Sequence, residues 1–220
     1  MSIQLSSAMT ANSDVNSPAF WEEIYRGGRV AWDLGGPTPV FRRLLDHGQL
    51  APGRIIVLGA GRGHDAREFA RRGFAVTAVD FAAGAVAAMR QWGDDLLAPV
   101  EILRADLFDL PRALDGTFDY VLEYVTFCAI HPSRRADYAD VVARLLKPGG
   151  LYIDLAFPLD RRAGGPPFAV SVTEIEVLFN LRGFTLRRRE SPPDSVRPRR
   201  GAEELLIFQK GRSEGRQENA

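Results

Sequence analysis

The stretch Arg54-Ile-Ile-Val-Leu-Gly-Ala-Gly-Arg-Gly-His-Asp65 decides the fold. Ile55 to Leu58 is an unbroken apolar run, the pattern of a short strand buried on both faces. Gly59, Gly61 and Gly63 follow at once. Glycines let the chain turn sharply and let a ligand lie against the main chain without meeting a Cβ. A helix-compatible run from Asp65 to Arg72 comes next, then a second apolar strand, Ala75 to Val79, that ends in Asp80. An acid about 20 residues beyond such a turn is placed to accept hydrogen bonds from a ribose. Strand, glycine turn, helix, strand and acid therefore predict a nucleotide crevice.

Outward from this unit, strand and helix patterns alternate. Upstream, Ser17-Pro18 reads as an N-cap with proline at the first helical position, opening a helix to about Arg26. Thr38 to His47 carries apolar residues at helical spacing, and Gly48 closes it. Downstream, Phe81 to Arg90 reads as an alanine-rich helix, Val100 to Arg104 and Phe118 to Glu123 as strands, and Ser133 to Leu146 as a helix stopped by Lys147-Pro-Gly-Gly150. Leu151 to Phe157 reads as a strand and Val172 to Leu181 as a helix capped by Ser171 or Thr173. Phe184 to Glu190 and Glu204 to Gln209 read as a closing antiparallel pair. The pattern predicts an α/β fold: a Rossmann-like, doubly wound mixed sheet, mostly parallel, with a C-terminal antiparallel strand and an N-terminal helical lid. Ligands of such sheets sit beyond the carboxyl ends of the central strands, where Gly59, Asp80, Asp106 and Glu123 all fall. Residues 1–16 read as a flexible leader, 17–210 as a single domain and 211–220 as a polar tail.

Composition narrows the function classes. The chain has 220 residues, 45% hydrophobic and 25% charged, with zero formal net charge. That balance suits one globular domain and argues against nucleic acid or an acidic membrane surface as an electrostatic partner. Cys128 is the single cysteine, so no internal disulfide can form, and no residues show metal-ligand spacing. A reducing cytoplasm is the matching compartment. No apolar run reaches the roughly 18 residues of a membrane span, and no signal peptide is evident. A monomer is expected, since no exposed apolar stripe calls for a partner.

The details of the turn select the nucleotide. Dinucleotide folds prefer G-x-G-x-x-G, but position 64 is His64. Asp106 can meet the edge of an adenine, with Leu107 against the ring face. No phosphate-binding lysine accompanies the turn. Asp80 for ribose, Asp106 for adenine and a glycine turn for an amino-acid end match S-adenosylmethionine. The chain thus resembles the class I S-adenosylmethionine-dependent methyltransferases. Within them it is similar to the thiopurine S-methyltransferase family, including members that methylate small thiols, thiocyanate or halides. The resemblance rests on Phe20-Trp21-Glu22 and Trp32-Asp33-Leu34-Gly35, the glycine turn, Tyr124-Val-Thr-Phe-Cys-Ala-Ile130, Leu146-Lys-Pro-Gly-Gly150, Gly165-Pro-Pro-Phe168, and Arg200-Gly201 with Glu203-Glu204. It implies a Rossmann-like methyltransferase with a small-molecule methyl acceptor. Where the family usually has proline and cysteine in the turn, this chain has Leu58 and Ala60.

The candidate cofactor residues are Trp21, Trp32, Gly59, Gly61, Gly63, Asp80, Phe81, Asp106, Leu107 and Glu123. Tyr124 and Glu123 are the candidate catalytic pair, placed to act on the acceptor's proton or charge, and arginines 161–162 or 199–200 could share that role. Two alternatives share the same sheet: a nicotinamide-dependent oxidoreductase, and a non-catalytic S-adenosylmethionine-binding module.

Overall fold

The computed structural model describes residues 14–28, 30–92 and 100–212. Strands β1 (Arg54–Leu58), β2 (Ala75–Asp80), β3 (Val100–Arg104), β4 (Phe118–Tyr124), β5 (Leu146–Ala156), β6 (Phe184–Glu190) and β7 (Glu204–Lys210) form one sheet. Its order is β3-β2-β1-β4-β5-β7-β6. Only β7 runs antiparallel to its neighbours, as the closing pair predicted. The order reverses between β1 and β4, so the crevice lies where these two strands end.

Helices cover both faces. Strand side chains alternate: Ile55, Val57, Val76 and Ala78 pack with α2 (Pro39–Asp46) and α3 (His64–Arg71). Ile56, Val121, Tyr152 and Phe208 pack with α5 (Arg135–Leu145) and α6 (Val172–Asn180) on the other face. α1 (Pro18–Arg26) stands apart and docks on α4 (Ala83–Met89), with Phe20 and Trp21 against Ala82 and Ala85. Ser17 Oγ accepts from Ala19 N, which fixes the start of α1 as its Ser-Pro signature predicts. Ser171 Oγ likewise accepts from Glu174 N and so is the cap of α6.

Three boundaries differ from the sequence reading. Pro132–Arg134 forms a short 3-10 turn before α5 begins at Arg135, because proline restricts the residue before it and favours a turn. β5 begins at Leu146, so Lys147-Pro-Gly-Gly150 lies inside a strand. Phe118 pairs with Leu146 but Tyr120 with Leu151, and Gly149 at φ 81° gives the bulged chain its turn. Asp14 to Asn16, read as leader, belong to an ordered turn: Val15 O accepts from Trp21 Nε1 at 2.8 Å. The remaining leader and all but Gly211 and Arg212 of the tail lie outside the described residues.

Candidate functional site

The strand ends open into a cavity of about 880 Å³. Its floor is Gly59, Val79, Asp80 and Phe81; one wall is Ala105 to Phe108; the cover is Phe20, Trp21, Ile24, Tyr25 and Trp32. Val125, Thr126, Cys128, Phe157, Pro166, Pro167 and Arg199 also line it. A smaller cavity of about 70 Å³ continues past the turn between Gly59-Ala60-Gly61 and the segment from Val30 to Thr38, with Tyr124 in its wall.

The glycine turn is built by contacts that the residue spacing cannot show. Gly59 has φ 62°, and a Cβ there would sit 2.4 Å from Thr126 Oγ1. Thr126 in turn donates through Oγ1 to Leu58 O at 2.9 Å, locking the ends of β1 and β4 together. Gly61 has φ 58° and donates its N–H to Asp80 Oδ2 at 2.8 Å. The other oxygen of Asp80 accepts from Ala82 N at 2.9 Å. Asp80 thus ties the turn to the end of β2 while lining the cavity. Burial pushes its carboxyl above the usual range, and the two N–H donors oppose that shift. Asp106 Oδ1 accepts from Phe108 N at 2.9 Å and caps the 3-10 turn Leu107–Asp109, which presents Leu107 and Phe108 to the cavity.

The cover is aromatic. The Trp21 and Trp32 rings meet edge to face at 5.3 Å, and Tyr25 meets Trp32 at 5.9 Å. Glu22 of α1 accepts from Ala83 N and from Gly84 N, holding α1 against the start of α4. The segment from Val30 to Thr38 is pinned by Asp65, whose oxygens accept from Thr38 N at 2.6 Å and Thr38 Oγ1 at 2.8 Å. Burial raises the Asp65 carboxyl to about 6, with the Thr38 bonds pulling the other way.

Trp21, Trp32, Gly59, Asp80, Phe81, Asp106 and Leu107 come together around the large cavity, and Gly61 and Tyr124 around the small one. Gly63 and Glu123 line neither, nor do Arg161, Arg162 and Arg200. Gly63 is the N-cap of α3 at φ 77°, and a Cβ there would lie 2.0 Å from the Trp92 ring, so it serves helix packing. Glu123 is 1% exposed, and its Oε2 accepts from Thr126 N at 2.9 Å and Phe127 N at 3.0 Å. It shapes the turn after β4 and lines neither cavity, unlike the catalytic and cofactor role that its strand-end position predicts.

Tyr124 also departs from a general base. Its hydroxyl donates to Glu203 and accepts from Arg199. Burial, then the neighbouring Glu203 carboxylate, pushes the phenol well above its ordinary range, so it stays neutral. Cys128 is buried, and burial followed by the nearby Glu123 charge pushes its thiol up, which leaves it inert as a nucleophile. Glu203 was missed as a site residue, and Arg199 stood only as one of four arginines. Both lie in the final turn before β7, far in sequence from Tyr124. Val125 lines both cavities at φ 58°, a strained conformation for a β-branched residue and one that aims the β4 turn at the site.

A mixed seven-stranded sheet with a glycine turn and strand-end acids at its switch point defines a class I S-adenosylmethionine-dependent methyltransferase. The cavity suits that cofactor: the turn leaves main chain bare where a Cβ would clash, two acids stand at separate strand ends, and no turn lysine awaits a phosphate. The chain belongs to the thiopurine S-methyltransferase family, whose model matches residues 16–210. It is 37% identical to a probable thiol methyltransferase 2 of Arabidopsis thaliana, over 89% of this chain and 86% of the relative. It is 35% identical to thiocyanate methyltransferase 1 of Brassica oleracea, over 86% of this chain and 84% of the relative. Among solved structures, Burkholderia thailandensis 1,6-didemethyltoxoflavin-N1-methyltransferase superposes with a TM-score of 0.67 at 22% identity, covering 88% of this chain and 87% of that one. The protein is thus an S-adenosylmethionine-dependent methyltransferase acting on a small molecule. No described helix is long and apolar enough to cross a membrane.

Proposed function

We propose that this methyltransferase moves the methyl group of S-adenosylmethionine to a small soft sulfur nucleophile, a thiol or a thiol-like species such as thiocyanate. The observation that carries this is the lining of the cavity. Besides Gly59, Asp80 and Asp106 the lining is largely apolar, with Cys128, Phe157, Pro166 and Pro167 beside the Arg199 guanidinium, which fits a small soft acceptor. The names of the thiol and thiocyanate methyltransferase relatives support the same class. The protein acts on free small molecules, as a monomer in a reducing cytoplasm, with no nucleic-acid or membrane partner.

The bound cofactor supplies a methyl group already activated on a sulfonium. The chain's residues bind, orient and exclude water. Gly59 and Gly61 would cradle its amino-acid end, Asp80 would accept from the ribose, and Asp106, Phe81 and Leu107 would hold the adenine. Trp21 and Trp32 close the site, and their π faces suit a cation. Tyr124, in the wall of the small cavity, holds Arg199 at the large one and takes no proton.

A methyl-acceptor screen with labelled cofactor tests the reaction; no transfer to any thiol, thiocyanate or halide would overturn it. Asp80→Ala should weaken binding of S-adenosylhomocysteine by about 100-fold, the loss of charged hydrogen bonds to ribose. Calorimetry measures this, and unchanged affinity would remove Asp80 from the cofactor site. Tyr124→Phe should keep kcat within about tenfold of wild type, whereas a lost general base costs about 100-fold or more. A larger fall in the pH-independent kcat would restore the phenol as a base.

A further inference from the structure

Trp32 lines both cavities, and the chain around it is fastened at three places. Its carbonyl accepts from an Arg199 terminal nitrogen at 3.0 Å, and Glu203 offsets that buried cation through the Tyr124 hydroxyl. Its neighbour Asp33 reaches across to the glycine turn. Asp33 Oδ2 lies 3.1 Å from Arg62 Nη1, and Oδ1 lies 3.0 Å from His64 Nε2. Asp33 Oδ1 also accepts from Gly35 N at 2.8 Å, which turns the chain locally. Farther on, Thr38 is buried and doubly bonded to Asp65. The middle tie is the weak one, since the Arg62 and His64 side chains are 39% and 36% exposed. Hinges flank it. Gly28 and Gly35 bracket Trp32 and Asp33 at φ 73° and 71°, and a Cβ at Gly28, Gly35 or Gly36 would meet nothing within 4 Å. These glycines answer to backbone freedom and not to crowding.

We propose that Asp33 is the clasp of a gate: its pairs with Arg62 and His64 hold residues 30–34, Trp32 among them, down on the glycine turn, and their release lets S-adenosylmethionine enter and S-adenosylhomocysteine leave. This rests on the placement of the cofactor in the strand-end cavity proposed above. The small cavity lies between the turn and this stretch, so a cofactor whose amino-acid end sits on Gly59 and Gly61 passes when the stretch lifts. The clasp closes on a firm base. Arg62 and His64 flank Gly63, which α3 takes as its N-cap and which packs against the Trp92 ring. Thr38, held by Asp65, is the fixed end about which the stretch swings. The clasp joins protein to protein and so opposes entry as much as exit. Loosening it should raise both rates and leave the equilibrium affinity nearly unchanged. Loss of a direct cofactor contact would raise the exit rate alone.

Surface plasmon resonance with S-adenosylhomocysteine on the immobilised protein measures both rates. Asp33→Asn keeps an oxygen for Gly35 N and loses the charge. It should raise the association and dissociation rates by about fivefold each, the size that two half-exposed ion pairs can supply, with Kd within about threefold of wild type. Arg62→Gln should raise them by about twofold, and the double variant should be about as fast as Asp33→Asn alone, because the partner is already gone. Salt gives a second reading, since S-adenosylhomocysteine carries no net charge. Raising KCl from about 0.05 M to about 1 M should quicken both wild-type rates by about threefold and leave those of Asp33→Asn nearly flat. Unchanged rates in Asp33→Asn overturn the gate, and so does a rise in the dissociation rate alone, which would make Asp33 a cofactor contact. Asp80→Ala, run alongside, separates the two readings: unchanged affinity there removes the cofactor placement on which the gate rests, whereas weakened binding there with unchanged rates in Asp33→Asn removes the gate alone. Should Asp33→Asn fail to fold in thermal melts, Arg62→Gln and the wild-type salt dependence decide, and no change in either overturns the clasp.

Discussion

Gly59→Ala is expected to abolish S-adenosylmethionine binding and to destabilise the fold by about 2–5 kcal/mol. Two independent costs add. The residue sits at φ 62°, where a Cβ costs about 1–2 kcal/mol. The added carbon would also lie 2.4 Å from Thr126 Oγ1 and 2.9 Å from Thr126 Cγ2. Thr126 cannot swing away freely, because its Oγ1 donates to Leu58 O and its N–H to Glu123. Relief therefore means moving the β4 turn, an overpacking cost of about 1–3 kcal/mol. Since Gly59 lines both cavities, the same shift carries main chain into the cofactor space. Urea melts and calorimetry with S-adenosylhomocysteine check both halves. The double variant Gly59→Ala with Thr126→Ala should recover part of the stability, because the steric cost is removed and the φ cost remains. A Gly59→Ala protein that melts like wild type and binds normally would sink this account of the turn. Gly61→Ala should be milder in steric terms, since its nearest neighbour is the Tyr25 hydroxyl at 3.3 Å.

This turn also shows how far the sequence could be read. Ile55 to Leu58 is a run that only a buried central strand needs, and Asp80 follows a second such strand at the distance a ribose ligand requires. Sheet class and cofactor were therefore legible from local pattern. Glu123 was misread because a strand-end acid looks the same from the sequence whichever face it takes. The period of two held the clue: Glu123 shares the face of Val121, which packs in the α5 and α6 layer. Gly63 belonged to the glycine run by spacing, but its reason is the Trp92 ring, a tertiary contact. Arg199 and Glu203 meet Tyr124 across 75 and 79 residues of chain. No local signal marks such a network, although charged residues beside Gly201 in an otherwise Pro-rich and Arg-rich loop offered a place to look. The β5 boundary failed for a similar reason: Lys147-Pro-Gly-Gly150 carries stop signals for both helix and strand, and only the bulge opposite β4 keeps it in the ladder.

Asp154→Asn is expected to stabilise the protein by about 1–3 kcal/mol at pH 8 and to flatten its stability profile above pH 5. Asp154 on β5 stands directly beside Glu123 on β4 in the parallel ladder, and the two are 0% and 1% exposed. Neither oxygen of Asp154 accepts a hydrogen bond from any described N–H or O–H. Burial raises the Glu123 carboxyl too, but two backbone donors and the charge of Arg135 oppose it, so of the pair Glu123 carries the negative charge. Burial, and then the Glu123 charge, hold the Asp154 carboxyl well above the usual carboxylate range. Tyr138 and Tyr152 face the same pair, and burial, with the carboxylate charges adding to it, pushes both phenols far above their ordinary range, so both stay neutral. The sign follows. The folded chain keeps a proton on Asp154 that the unfolded chain releases above about pH 4. The contribution is therefore fully present below that value and declines as pH rises toward the folded pKa, by at most about 1.4 kcal/mol per pH unit. An asparagine carries the donor to Glu123 permanently and has no proton to lose, so its variant should escape this decline. Denaturant melts of both proteins from pH 5 to pH 9 make the comparison. Parallel curves would show that the pair does not share a proton. S-adenosylhomocysteine affinity should stay within about threefold, because the Thr126 and Phe127 N–H bonds to Glu123 that shape the site remain.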